Sequence, residues 1–127
     1  IRVATATRSE KRMARIAERA SGFVYYVSVA GVTGAGVGAE SDIAAGVNLA
    51  RRLSKLPVAV GFGVKTPDQA ARFARIADAV VVGSALVDEV RAAVDEGQPA
   101  SSVKRIGVVA QSLSNAISSA RVERSVH

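Results

Sequence analysis

The chain has 127 residues, 49% apolar, 22% charged and 4% aromatic, with 17 Lys and Arg against 11 Asp and Glu. This balance excludes a disordered tail and a fibre, and no apolar run reaches the roughly 18–20 residues that span a bilayer. Cysteine is absent, which removes disulfides and thiolate metal sites, and the single histidine, His127, is the last residue.

Four short runs read as strands, over residues 1–6, 23–28, 58–62 and 79–83. They are β-branched or apolar almost throughout, as parallel strands covered on both faces are. After the first, Ser9 is an N-cap for a helix with Met13, Ile16, Ala17 and Ala20 on one face. The next helix opens after Ser41 or Asp42 and carries Ile43, Val47, Ala50 and Leu53. Thr66-Pro67-Asp68 is a strong helix start, with a cap, a proline at the first helical position and an acid against the positive end of the dipole. Ala70, Phe73, Ala74 and Ala77 carry that helix to the fourth strand. A further helix opens after Gly83-Ser84 through Leu86, Val87, Val90 and Val94, and Gly97-Gln98-Pro99 breaks it. The last helix starts near Ser102 and turns Val103, Ile106, Val109 (or Ala110), Leu113 and Ile117 inward. Residues 1–120 form the structured part, and 121–127 read as a loose tail. The order is β-α-β-α-β-α-β-α-α, an α/β pattern with right-handed crossovers.

The formal charge of +6 raises the possibility of a nucleic-acid surface. Arg8, Lys11, Arg12, Arg15 and Arg19 recur every three to four residues along the first helix. The other cations fall mostly on polar faces of separate helices. Two tyrosines and three phenylalanines are too few for an interleaved stacking surface. The charge therefore reads as solvated helix faces, with neither nucleic acid nor membrane expected as a partner. No basic-then-apolar leader follows Ile1, so a cytoplasmic location is expected.

In parallel α/β folds the sites lie beyond the carboxyl ends of the strands. There the sequence places a glycine-rich loop running from Ser28 through Gly31-Val32-Thr33-Gly34 to Gly38. It also places Gly61-Phe62-Gly63-Val64 after the third strand and Gly83-Ser84-Ala85 after the fourth. Glycine lets backbone approach a ligand closely, and the helix after Gly83-Ser84 would offer free N–H groups to an anion. One such turn alone is ordinary; three together favour a phosphate cradle. No G-x-G-x-x-G joins a strand to a helix and there is no G-K-[ST], so a phosphate ester suits the cradle better than a dinucleotide. No acid emerges from a strand top: Glu10, Glu18, Asp68, Asp88, Glu89, Asp95 and Glu96 fall on helices, and Asp78 precedes the fourth strand at the opposite end. Glu40 and Asp42 fit a helix start. Tyr25 and Tyr26 alternate within the second strand, so one faces the covering helices and the other the opposite face. These residues make a binding half without a catalytic half.

The stretch Ser21-Gly22-Phe23-Val24-Tyr25-Tyr26-Val27-Ser28, followed by Gly31-Val32-Thr33-Gly34, resembles the tryptophan synthase alpha subunit family. So do Pro57-Val58-Ala59-Val60-Gly61-Phe62-Gly63-Val64, the Thr66-Pro67-Asp68-Gln69 helix start, and the run from Ala77 to Val87. Order and spacing follow the family over residues 1 to about 118. Phe-Gly and Gly-Ser turns recur in many phosphate-binding barrels, including those of other pathways; the tyrosine strand with Gly-Val-Thr-Gly makes the resemblance specific.

The resemblance implies a (β/α)8 TIM barrel that cleaves indole-3-glycerol phosphate to indole and glyceraldehyde 3-phosphate by a retro-aldol route. This chain would supply its C-terminal half, strands five to eight. A complete barrel needs about 250 residues, and four strands alone leave two open edges and half of a core uncovered. By the resemblance, Gly34, Gly63, Gly83 and Ser84 bind the phosphate, chiefly through backbone N–H groups, and Tyr25, Phe62 and Val81 line the indole pocket. Thr33 belongs to a loop that closes over substrate and orients a catalytic aspartate. That aspartate and its companion glutamate lie on and after the family's second strand, outside this chain, so the chain alone is expected to be inactive. No metal or cofactor is implied, and the implied partner is the pyridoxal-phosphate beta subunit. The family's strand-five turn usually reads Ala-Pro-Thr; here it is Ala4-Thr5-Ala6-Thr7, without proline. A different reading is a stand-alone half-barrel, a phosphate-binding or self-associating module without catalysis.

Overall fold

The computed structural model describes residues 1–5, 9–28, 37–61 and 63–126, with backbone alone at 37–39. In chain order the elements are β1 (Arg2–Thr5), α1 (Glu10–Glu18), β2 (Val24–Val27), α2 (Val37–Ser54), β3 (Val58–Gly61), α3 (Pro67–Ile76), β4 (Ala79–Val81), α4 (Ser84–Asp95) and α5 (Ser102–Val126). A short 3-10 turn at Pro99–Ser101 separates the last two. The chain divides into two compact units, Ile1–Gly63 with Ile76–Val81, and Val64–Arg75 with Val82–His127.

The first unit holds the whole sheet, four parallel strands in the order β1-β2-β3-β4. Sequential parallel strands joined by helices are the repeating pattern of a (β/α)8 barrel, here four units of it. The register aligns Thr5, Val27, Gly61 and Val81 across the sheet, and Val3, Tyr25, Ala59 and Ala79 one step below. Laterally paired residues share a face, and successive residues along a strand change face. These eight therefore line one face, and Ala4, Val24, Tyr26, Val58 and Val60 line the other.

The two faces are treated differently. Ala4, Val24, Tyr26, Val58 and Val60 are buried, with α1 packed on β1 and α2 on β2 and β3. Met13 from α1 and Ile43, Val47 and Ala50 from α2 complete this core. On the opposite face Val3 is 58% exposed and Val81 41%. The strands are thus covered on one face only at their edges, a correction to the fully covered reading and the condition expected of half a barrel core.

Local signals explain the ends of the elements. Ser9 Oγ accepts the Arg12 N–H at 3.4 Å and caps α1. Helix α2 begins at Val37, earlier than the Ser41 or Asp42 start expected, and takes Glu40 into its first turn. At the foot of the sheet, Asp78 Oδ2 accepts from Arg51 Nε (3.2 Å), Arg51 Nη2 (3.1 Å) and the Val58 N–H (2.9 Å). One carboxylate so ties the end of α2 to the starts of β3 and β4.

In the second unit, α3 begins on a capping box. The Gln69 N–H donates to Thr66 Oγ1 (3.2 Å), and Gln69 Oε1 accepts from the backbone of Lys65 (2.8 Å) and Thr66 (3.3 Å). Helix α4 packs against α5 and buries Ala85 and Ala93. The valines on which the sequence locates this helix lie outside, with Val87 58% and Val94 55% exposed. The helix carries two apolar arcs, and periodicity does not say which is covered. Val103 is likewise exposed, whereas Leu113 and Ala120 are buried. Residues 121–126, expected as a loose tail, continue α5 through Val126. No Pro or Gly interrupts them, and Glu123 accepts from Arg75 Nη2 at 2.9 Å.

Candidate ligand-binding site

On the sheet face opposite α1 and α2, Tyr25, Gly61 and Val81 meet. Because Gly61 has no side chain, the Tyr25 ring reaches across from β2 and lies over β3. A Cβ at Gly61 would stand 2.6 Å from the Tyr25 hydroxyl oxygen and 2.9 Å from Val81 Cβ. The aromatic edge, the glycine floor and the Val81 side chain form one apolar surface at the carboxyl ends of the strands. Tyr26 points the other way, its ring packed on Gly46 of α2. Burial, and secondarily the negative charge of Asp42, raise the Tyr26 pKa above the ordinary 10.0. Of the two tyrosines, Tyr25 is half-buried on the face away from α2, and Tyr26 belongs to the core.

Above this surface the strand ends are tied together. Ser28, fully buried, donates from Oγ to the Gly61 carbonyl at 3.3 Å, and its N–H donates to the same oxygen at 3.1 Å. Gly63 follows with φ +72°, a left-handed conformation that glycine adopts without strain.

In the second unit, Gly83 is the N-cap of α4 and Ser84 its first residue, both exposed. The Gly83 carbonyl accepts the N–H groups of Leu86 (3.0 Å) and Val87 (3.2 Å), which starts the helix. No side chain caps this end and no acid occupies the first turn. The end of the helix dipole is thus uncompensated, the condition under which backbone N–H groups hold an anion.

Thr33, Gly34 and Phe62 lie outside the described residues. The carboxylates fall as the sequence indicates, except that Glu96 is the C-cap of α4 and not within the helix. Glu10 pairs with Arg52, Glu89 and Glu96 with Arg105, and Asp78 with Arg51 at the foot of the sheet. Among the described residues no three His, Asp or Glu come together in a way that could hold a metal ion, and no helix is long and apolar enough to cross a membrane. Two positions escaped the sequence reading: Ser28 as a strand tie and Gly61 as the floor under Tyr25. The signals were present, since Ser28 is a polar residue ending an apolar strand and Gly61 is a glycine within one.

The model of the tryptophan synthase alpha chain family matches residues 1–118. The tryptophan synthase alpha chain of Caulobacter sp. (strain K31) is 50% identical over 123 residues, which is 97% of this chain and 44% of that one. The alpha chain of Phenylobacterium zucineum (strain HLK1) is 51% identical over 121 residues, 95% of this chain and 43% of that one. The crystal structure of the alpha subunit from Legionella pneumophila str. Paris matches with a TM-score of 0.75 at 34% identity, covering 93% of this chain and 42% of that one. The chain spans a little under half the length of the curated relatives it matches, and its four parallel β/α units correspond to half of a TIM barrel. By sequence and by fold, the chain belongs to the tryptophan synthase alpha chain family.

Proposed function

We propose that the protein containing this chain is a lyase of tryptophan biosynthesis that cleaves indole-3-glycerol phosphate to indole and glyceraldehyde 3-phosphate. The observation that carries this reading, beside the family membership, is the apolar surface of Tyr25, Gly61 and Val81 on the sheet face opposite α1 and α2. An aromatic ring laid over a strand glycine suits a flat heteroaromatic group such as indole.

In this reading Tyr25, Phe62 and Val81 hold the indole, while Gly34, Gly63, Gly83 and Ser84 hold the phosphate. The free N–H groups at the start of α4 supply part of the anion's charge stabilisation. Retro-aldol cleavage needs a base to take the proton of the glycerol hydroxyl and an acid to protonate the departing indole carbon. The helix-borne acids of this chain and Asp78 suit neither task. Both roles fall to acids outside the chain, one of them oriented by the Thr33 loop. The segment is inactive alone, binds substrate and needs no cofactor. In the cytoplasm, the product indole passes to a pyridoxal-phosphate beta subunit.

Incubation of the complete gene product with indole-3-glycerol phosphate tests the reading. Equal amounts of indole and glyceraldehyde 3-phosphate are expected, and a folded protein that releases neither contradicts it. The exposure of Val3 and Val81 also suits a half-barrel module that pairs with a second copy. A well-folded closed dimer of the segment, seen by mass measurement, would favour that alternative.

A further inference from the structure

Ser28 is the one buried polar side chain among the described residues. It stands directly after the four apolar and aromatic residues of β2. The Gly61 carbonyl at the end of β3 already receives the Ser28 backbone N–H at 3.1 Å, and Ser28 Oγ adds a second bond to it at 3.3 Å. Main-chain bonding alone would satisfy that carbonyl. A buried hydroxyl also costs desolvation that an alanine would not incur. The side-chain bond therefore adds little to the ladder, but it clamps the ends of β2 and β3 at one residue. That residue, Gly61, is the floor under Tyr25 and the register partner of Val81.

We propose that Ser28 is a positioning residue. It fixes the lateral spacing of β2 and β3 at their carboxyl ends, and so holds the Tyr25 ring over Gly61 without touching substrate itself. The proposal rests on the reading of this surface as the indole site.

The test uses the complete protein with Ser28→Ala, and with Ser28→Thr, which keeps the hydroxyl donor. Loss of one such bond should raise KM for indole-3-glycerol phosphate about fivefold in Ser28→Ala. Affinity for glycerol 3-phosphate, which has no ring, should stay within about twofold. By NMR of the labelled protein, Ser28→Ala should shift and sharpen the Tyr25 ring signals while leaving those of Tyr26 in place, and Ser28→Thr should restore both readouts. If the wild-type protein releases no indole yet the Tyr25 signals respond in this way, the positioning role stands and the reaction assigned above falls. Unchanged Tyr25 signals in Ser28→Ala overturn the proposal, as does an equal loss of affinity for both ligands.

Discussion

The Tyr25 ring lies across Gly61, the neighbouring-strand residue that pairs with Val27, so close that a Cβ there would stand 2.6 Å from the phenol oxygen. One glycine thus decides whether an aromatic side chain can lie across β3. Gly61→Ala should push the ring off β3 and against Val81. Overpacking of this kind costs about 1–3 kcal/mol. The expected outcome is a lower melting temperature together with weaker binding of the indole ester, and little change for glycerol 3-phosphate. Thermal unfolding and ligand titration of the complete protein measure both.

Ser84 offers a prediction in which stability and binding move in opposite directions. Helix α4 has no acid in its first turn. Ser84→Asp places one there, which should stabilise the helix by about 0.3–1 kcal/mol. The same carboxylate would repel a phosphate held at that helix end. Affinity for glycerol 3-phosphate should fall more than about tenfold while the melting temperature holds or rises. Unchanged affinity would remove Ser84 from the phosphate site.

At the foot of the sheet, Asp78 and Arg51 are about one-third exposed, and Asp78 also takes the Val58 N–H. Asp78→Ala leaves a partly buried guanidinium and a strand N–H without that acceptor. A loss of about 2–3 kcal/mol is expected in denaturant unfolding. The Arg52–Glu10 pair is two-thirds exposed on both sides, so Glu10→Gln should cost no more than about 1 kcal/mol. Neither change should alter the affinity for glycerol 3-phosphate.

Tyr26 sets an alkaline limit on stability. Burial, with Asp42 second, raises its pKa in the folded state above 10.0. The fold therefore favours the neutral phenol, and the stability this contributes is intact below pH 10. It is lost as the pH rises from about 10 through the higher folded value. Tyr26→Phe should flatten the fall in stability across that window, and identical pH profiles for the two proteins would contradict this.

Much of the architecture is legible in the sequence. The apolar runs locate all four strands, Ser9 and Thr66-Pro67 locate two helix starts, and the Met13 and Ile43–Val47–Ala50 stripes face the core. What escaped depends on contacts between distant residues. Alternation puts Tyr25 and Tyr26 on opposite faces, but only Gly61 and Gly46, one in a strand and one in a helix, fix which is which. The valines of α4 outrank its alanines in hydrophobicity, yet it is Ala85 and Ala93 that are buried. Residues 121–126 carry mostly polar residues and read as a tail, whereas they continue a helix that Arg75 holds at Glu123.

The central claim is that this chain carries the ligand-binding half of a lyase and its catalytic acids lie elsewhere. The most direct measurement compares residues 1–127 alone with the complete gene product, each incubated with indole-3-glycerol phosphate and assayed for indole. The account predicts steady release by the complete protein and none above background by the segment. Catalytic turnover by residues 1–127 alone would contradict it.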